Sequence, residues 1–99
     1  MTETSRQKAV PTVQVDNDRV KATQWFFQPG AETGWHRHGM AYVVVPMTDC
    51  HMLLEEPGGT SRQVTVERGA SYAREAGVEH NVINAGAAPM TFVEIELKV

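Results

Sequence analysis

Apolar and polar residues alternate in several short stretches of this chain, most strictly near its end. Over residues 91–99 one face carries apolar side chains and the other carries charged ones, namely Val93, Ile95 and Leu97 against Glu94, Glu96 and Lys98. Side chains of a β-strand point alternately to opposite faces, so a period of two is typical of a strand with one buried face. We therefore predict a half-buried strand over residues 91–99.

Six further stretches have the composition of strands. Valine, threonine, phenylalanine and tyrosine are enriched in them because branched and aromatic side chains pack well on a pleated surface. Clusters of Gly, Pro, Asn and Asp separate them and mark turns. The predicted strands are residues 20–27, 42–46, 50–55, 62–67, 71–74 and 80–84. Many short strands without an internal repeat predict an all-β sandwich or barrel of one domain, over residues 13–99, preceded by a polar N-terminal arm or edge strand, residues 1–12.

Two histidines separated by one residue, His36 and His38, are the first candidates for a functional site. In an extended strand such a pair projects to the same side, close enough for both imidazoles to bind one metal ion. If no bulge intervenes, Tyr42 points to that side as well, whereas Trp35 and Arg37 point away. Neutral imidazole is the commonest metal ligand in proteins. The pattern therefore predicts a metal site, to which the fold must bring further ligands.

The segments around these histidines resemble the two motifs of the cupin superfamily, G-x5-H-x-H-x3,4-E-x6-G and G-x5-P-x-G-x2-H-x3-N. The matching positions are Gly30, His36 and His38 in the first motif and Gly69, Gly77, His80 and Asn84 in the second. Tyr42 stands at the usual glutamate position and Glu75 at the usual proline. The resemblance covers residues 30–84. It implies a single-domain cupin jelly-roll β-barrel in which His36, His38 and His80 bind one divalent metal ion.

Tyr42 leaves the chemistry of the site open. Three imidazoles without a carboxylate leave a divalent ion its full charge and open positions, which favours Lewis-acid or oxygen-activating work, and Fe, Zn, Ni, Mn and Cu all accept imidazole. Tyr42 is expected to line the pocket, with its hydroxyl reaching a substrate or a metal-bound water, so it is the candidate catalytic residue. Direct ligation by Tyr42 and a cupin that has lost its metal are the alternatives.

Two other residues could carry chemistry but have a simpler interpretation. His51 has no partner in either motif and is expected to be an ordinary hydrogen-bonded histidine. Cys50 is expected to be a small hydrophobic residue, since free cysteine is among the most buried residue types. The sequence therefore places neither in the site.

Size and charge restrict the partners of the protein. The 99 residues fit one domain with one modest core. A net charge of −3 and nine scattered Lys and Arg residues provide no basic surface for nucleic acid or an anionic membrane. Cys50 cannot form an intramolecular disulfide, and the first residues lack the apolar stretch of a signal peptide. The expectation is a cytoplasmic protein that takes a small-molecule ligand.

Two functions remain open at this point. Residues 29–38 and 42–46 resemble a group of small bacterial cupins associated with β-alanine degradation, although Ala41 stands where that group commonly has aspartate. The first function is a metal-dependent enzyme, such as a three-histidine dioxygenase, acting on a small organic acid, ketone or similar metabolite. The second is a cupin that binds or senses a metabolite without turnover.

A homodimer is expected on physical grounds. Trp25, Phe27 and Val99 are apolar residues at predicted strand edges. Exposed strand edges tend to be covered, and a second copy of the chain is the commonest cover in soluble proteins. The resemblance to cupins implies the same assembly.

Overall fold

The computed structural model describes residues 6–98, and this part of the chain consists of nine strands joined by turns. The strands are β1 (Val10–Asp16), β2 (Val20–Phe27), β3 (His36–Arg37), β4 (Tyr42–Pro46), β5 (Cys50–Glu56), β6 (Thr60–Val66), β7 (Tyr72–Arg74), β8 (Glu79–Asn84) and β9 (Met90–Leu97). Within residues 6–98 no helix is long and apolar enough to cross a membrane. The predicted all-β class is confirmed.

The strands form two antiparallel sheets. One sheet has the order β1-β2-β9-β4-β7 and the other has the order β3-β8-β5-β6. Their facing sides enclose the hydrophobic core, as in a double-sheet jelly roll. β7 ends the first sheet and β6 ends the second, so the two sheets separate along these strands.

Most strands lie where the sequence pattern predicts them, and two lie outside it. β2 and β4 have the predicted bounds, and the other predicted strands differ by one or two residues at one or both ends. β3 was not predicted, and β1 was expected only as one of two alternatives, an arm or an edge strand within residues 1–12. β1 pairs with β2 at the edge of the first sheet, so the predicted limit between an arm and the barrel at residue 12 falls within it. Residues 1–5 and 99 lie outside the described residues.

In β9 the buried face is the one that carries Glu94 and Glu96, not the one that carries Val93, Ile95 and Leu97. The even-numbered residues face the interior: Met90 is 1% exposed and Phe92 is 5% exposed, and Glu94 lines an internal cavity. Leu97, on the opposite face, is 39% exposed. The prediction of two different faces is therefore right. On the face that points inward, however, Met90 and Phe92 are followed by Glu94 and not by a further apolar residue.

The core is built around β2, β4, β5 and β9. Its buried members include Phe27, Tyr42, Val44, Cys50, Met52, Leu54, Val82, Met90 and Phe92. Phe27 is fully buried, and Trp25 packs against the same cluster. Because β2 lies between β1 and β9, neither residue lies at a free strand edge. The edge position expected for Trp25 and Phe27 is wrong, and Val99 lies outside the described residues.

Candidate metal centre

Three histidine side chains converge at one end of the barrel interior. His36 on β3 lies directly opposite His80 on β8 in the antiparallel pairing, and His38 follows β3. The Nε2 atom of His38 lies 3.0 Å from that of His36 and 3.2 Å from that of His80. One ligand atom of each of the three residues lies within 4.8 Å of a ligand atom of the other two. The structure thus brings together the three histidines that the sequence singled out.

These separations fit the requirements of a metal ion. Two imidazole nitrogens bound to one ion at about 2.0–2.1 Å lie about 2.8–3.4 Å apart when the angle at the ion is about 90–110°. Both nitrogen pairs fall in that range. Neutral imidazoles in mutual hydrogen bonds would instead need a proton on one nitrogen of each pair. The three residues could therefore hold one divalent ion on three adjacent positions.

The Gly34 carbonyl sets the orientation of His36. A carbonyl oxygen can only accept, so His36 donates its Nδ1–H to the oxygen of Gly34 at 2.8 Å, which leaves the Nε2 lone pair free. Gly34 has a φ of 88°, a left-handed conformation that favours glycine. Its own N–H donates to Oδ1 of Asn81 at 2.9 Å. The tight turn thus connects His36 to a buried polar side chain of β8.

The loop before β8 and a carboxyl group position His38. The His38 N–H donates to the carbonyl of Val78 at 2.8 Å, and the Gly77 N–H donates to the carbonyl of His38 at 2.7 Å. Nδ1 of His38 lies 3.9 Å from Oε1 of Glu94. A small rotation or one bridging water would make this a hydrogen bond that fixes the proton on Nδ1. Nε2 of His38 would then be the free ligand atom.

His38 and His80 are neutral near neutral pH. Burial, followed by the neighbouring His36, lowers the pKa of His38 to about 4, and the same causes lower the pKa of His80 to about 3. Burial, followed by Glu96, raises the pKa of Glu94 to about 7. His38 and Glu94 are therefore not charged together below neutral pH, and their contact joins a neutral imidazole to a carboxyl group. A metal ion would find two unprotonated ligands and a nearby acceptor.

Tyr42 lies beside the histidines, on the side that strand parity predicts. Its ring stacks on the imidazole of His38, with centroids 3.9 Å apart and an angle of 23° between the planes. Tyr42 is 2% exposed, and burial raises the pKa of its hydroxyl to about 12, so the phenol stays protonated. The side chain thus supports a ligand by stacking and lines the cavity with a hydrogen-bond donor.

Glu94 is the residue of the site that the sequence argument missed. The alternation of Glu94 and Glu96 with valine and isoleucine is typical of a solvent-facing row. The same row, however, begins with Met90 and Phe92, two large apolar residues of the same parity. That parity indicates that this side of β9 enters the core, which is what the structure has.

His51 and Cys50 lie apart from the centre. His51 is exposed on β5, and its ring nitrogen lies 3.3 Å from the hydroxyl of Thr65. Cys50 is 1% exposed, belongs to the core, and has a pKa raised by burial. Trp35, directly before His36, is 55% exposed, so it points away from the histidines as predicted.

Comparison with known proteins identifies the family. The sequence model of the cupin domain matches residues 23–96. The chain belongs to the cupin family. This cupin is 60% identical over 93 residues to the β-alanine degradation protein BauB of Pseudomonas aeruginosa, which covers 94% of this chain and 97% of that protein. The resemblance to small cupins associated with β-alanine degradation is confirmed.

Solved structures support the same family and fold. The crystal structure of a cupin domain from Bordetella pertussis Tohama I is 58% identical and has a TM-score of 0.93, covering 98% of this chain and 100% of that chain. A conserved protein with a double-stranded β-helix domain from Klebsiella pneumoniae has a TM-score of 0.76 at 18% identity, covering 97% of this chain and 82% of that one, which shows likeness of fold alone. The predicted cupin jelly roll is confirmed.

Proposed function

We propose that this cupin binds one divalent metal ion through His36, His38 and His80 and acts on a small carboxylic acid or ketone metabolite. The convergence of the three Nε2 atoms, at 3.0 and 3.2 Å for two of the pairs, carries the proposal. Fe, Zn, Ni, Mn and Cu remain candidates because each accepts imidazole. The name of the relative BauB supports a role in the breakdown of β-alanine, whose skeleton is a short carboxylic acid.

The chain contributes orientation and hydrogen bonding around such an ion. When bound, the ion would supply a Lewis acid with open positions for a substrate or oxygen. Oε1 of Glu94 lies 3.9 Å from Nδ1 of His38, and a small rotation or one bridging water would let it accept the Nδ1 proton and so keep the ligand nitrogen free. Tyr42 supports the same imidazole by stacking and offers its hydroxyl proton to an oxygen of the substrate or to a bound water.

A binding protein without turnover is the second candidate, and the interior of the barrel favours it. The cavity beside His80 and Glu94 measures about 20 Å³. A single water needs a cavity of about 10–15 Å³ by the same kind of measure, so this space is too small for a metabolite. A ligand that stays outside it could be recognised without reaching the histidines.

Oxygen uptake with metal-loaded protein distinguishes the two candidates. Fe(II)-loaded protein would be incubated with a panel of short carboxylic acids, keto acids and diketones in an oxygen electrode. We expect uptake with one class of compound and no uptake by His36→Ala. Saturable binding of a compound without its conversion, with any of the candidate metals, would favour the binding protein.

We also propose a cytoplasmic homodimer that buries β1. All seven residues of β1 are exposed, and Val10, Val13 and Val15 are 54%, 53% and 43% exposed. Among residues 6–98, β1 pairs with β2 and has no partner strand on its outer edge. A second copy of this chain can cover both the valines and the edge at once, because a two-fold contact brings the same strand from each copy together. The free, buried Cys50 is in keeping with a reducing compartment.

A further inference from the structure

A large cleft opens where the two sheets separate. It has a volume of about 600 Å³ and lies between β6 and β7, the last strands of their sheets. Typical small-molecule sites measure about 300–1,000 Å³, so the cleft can hold a metabolite that the barrel interior cannot. Its position at an open sheet edge also gives direct access from solvent.

The cleft leads toward the histidines. Four residues, Met52, Leu54, Tyr72 and Arg74, line both this cleft and the narrow cavity that reaches His80. Arg74 is paired across the strands with Tyr42, whose ring stacks on His38. A molecule in the cleft would therefore share a wall with the cavity beside His80.

In the part of the chain that the structure describes, Arg74 forms no ion pair with an acidic side chain. Among residues 6–98, the ion pairs within 4.0 Å involve Arg6, Lys8, His38, Arg62 and Lys98 as the basic partners. Arg74 is half-buried, and none of the described residues that line the cleft is acidic. Arg62, the other arginine of the cleft, is exposed and lies 3.3 Å from Glu56. A half-buried guanidinium without a carboxylate partner is suited to an anionic ligand.

Apart from Arg62, Arg74 and the hydroxyl of Tyr72, the side chains that line the cleft are apolar. Met52 and Leu54 of β5 form one side, and Val64 and Val66 of β6 form the next. These side chains offer no partner to the hydroxyl groups of a sugar, and burying such groups unpaired would be unfavourable. The lining favours a ligand with one charged end and a short hydrocarbon body.

We propose that the cleft between β6 and β7 binds a short-chain monocarboxylate, whose carboxylate is held by Arg74 and whose hydrocarbon body packs on β5 and β6. The guanidinium can donate two parallel hydrogen bonds to the carboxylate. The far end of the ligand then points along the shared wall toward His80. This inference names the substrate class of the proposed function and rests on it for the role of the metal.

Titration with butyrate tests the carboxylate site separately from the metal. Chelator-treated, ¹⁵N-labelled protein is titrated with butyrate and with butyramide, its uncharged analogue, and followed by amide chemical shifts. We expect saturable shifts at residues of β6 and β7 with butyrate and at least tenfold weaker binding of butyramide. Arg74→Met should weaken butyrate binding at least tenfold, and Arg74→Lys should weaken it less, because it keeps the charge but not the forked geometry.

Arg68→Met is the matched control, since it removes the same charge from an exposed residue outside the lining of the cleft. We expect a change of less than threefold. Equal binding of butyrate and butyramide, or unchanged butyrate binding by Arg74→Met with a native-like spectrum, would overturn the assignment. If the protein still bound metal in that case, the proposed metal centre would stand although the carboxylate site would not. Arg74-dependent butyrate binding by a protein that binds no metal would support the cleft and contradict the proposed function.

Discussion

His38 couples a candidate metal-binding nitrogen to a buried carboxyl group. Its Nε2 faces the other two histidines, and its Nδ1 faces Glu94 at 3.9 Å. Partners of this kind select the tautomer of a ligand and raise its affinity for the ion. Glu94 would therefore act through His38, as a positioning residue.

Replacement of Glu94 tests this role. Glu94→Gln keeps an oxygen that accepts the Nδ1 proton, so zinc affinity should change by less than about threefold. Glu94→Leu removes the acceptor and should weaken zinc binding by about 10–100-fold. Long-range ¹⁵N NMR of metal-free protein should find His38 protonated at Nδ1 in the wild type and a tautomer mixture in Glu94→Leu. Glu67→Leu, at an exposed carboxylate, is the control. An unchanged tautomer in Glu94→Leu would contradict the role.

Tyr42 offers the site a stacking ring and a hydroxyl, and two substitutions separate them. Tyr42→Phe keeps the ring on His38, so zinc affinity should be retained, while turnover or ligand binding should weaken because a donor is lost. Tyr42→Leu removes the ring and should also weaken zinc binding. Isothermal titration with zinc measures the zinc affinity of both variants. Loss of zinc binding in Tyr42→Phe would mean that the hydroxyl is itself a ligand.

Restoring the usual cupin residue provides the complementary test. Tyr42→Glu adds a carboxylate at the position where the motif commonly has one, and it should bind zinc more tightly than the wild type if that side chain reaches the ion. Its stability should fall, because a buried ring is replaced by a smaller polar group. No gain in zinc affinity would mean that position 42 lies beyond reach of the ion.

Residues could be predicted from the sequence where their placement is local. Strand parity alone puts His36, His38 and Tyr42 on one side, and the structure agrees. Glu94 depends on which face of β9 meets the core, and this is decided by strands distant in sequence. Whether Arg74 has an acidic partner likewise depends on which residues the fold brings near it, so the sequence does not predict it.

Among the strands, β8 is the one that organises the site, because it is buried on both faces. It presents His80 to the centre, while Asn81 points to the other side and is 2% exposed. Asn81 donates to Oε1 of Glu32 at 2.8 Å and of Glu55 at 2.9 Å. Its oxygen accepts the N–H of Gly34, whose carbonyl holds His36. One side chain thus connects three segments to a candidate ligand.

Asn81→Ala should therefore affect both stability and the site. It leaves buried polar groups without partners, so we expect the free energy of unfolding to fall by about 2–4 kcal/mol. Zinc affinity should fall by about tenfold, because Gly34 and His36 lose their support. Urea denaturation and zinc titration measure the two effects. Gln63→Ala, at an exposed position of β6, should change neither. A loss of stability with unchanged zinc affinity would contradict the link between Asn81 and His36.

Strands with a marked composition could be predicted, and those defined by pairing could not. β4 has a run of three valines, and its bounds match the prediction. β3 comprises two residues and exists because His36 and Arg37 pair with β8. β1 is polar at alternate positions and exposed throughout, so its strand conformation depends on pairing with β2. Such contacts are tertiary, and no local pattern encodes them.

For the whole molecule, the exposed valines of β1 predict a dimer in solution. Light scattering after size exclusion should give about twice the chain mass of 11.0 kDa at micromolar concentration. Val13→Lys combined with Val15→Lys should shift the protein toward monomer, because charges on β1 oppose its burial against a second copy. Met47→Lys, at a 51% exposed residue outside β1, is the control. A wild type that remains monomeric would contradict the dimer.

The metal content of the purified protein tests the central claim most directly. The protein would be loaded anaerobically with Fe(II) or Zn(II), desalted and analysed by elemental mass spectrometry together with His36→Ala, His80→Ala and His51→Ala. The account predicts about one ion per chain in the wild type and in His51→Ala, and less than about a tenth of that in the other two, because each loses one of three ligands. Wild-type metal content in His36→Ala and His80→Ala would contradict it.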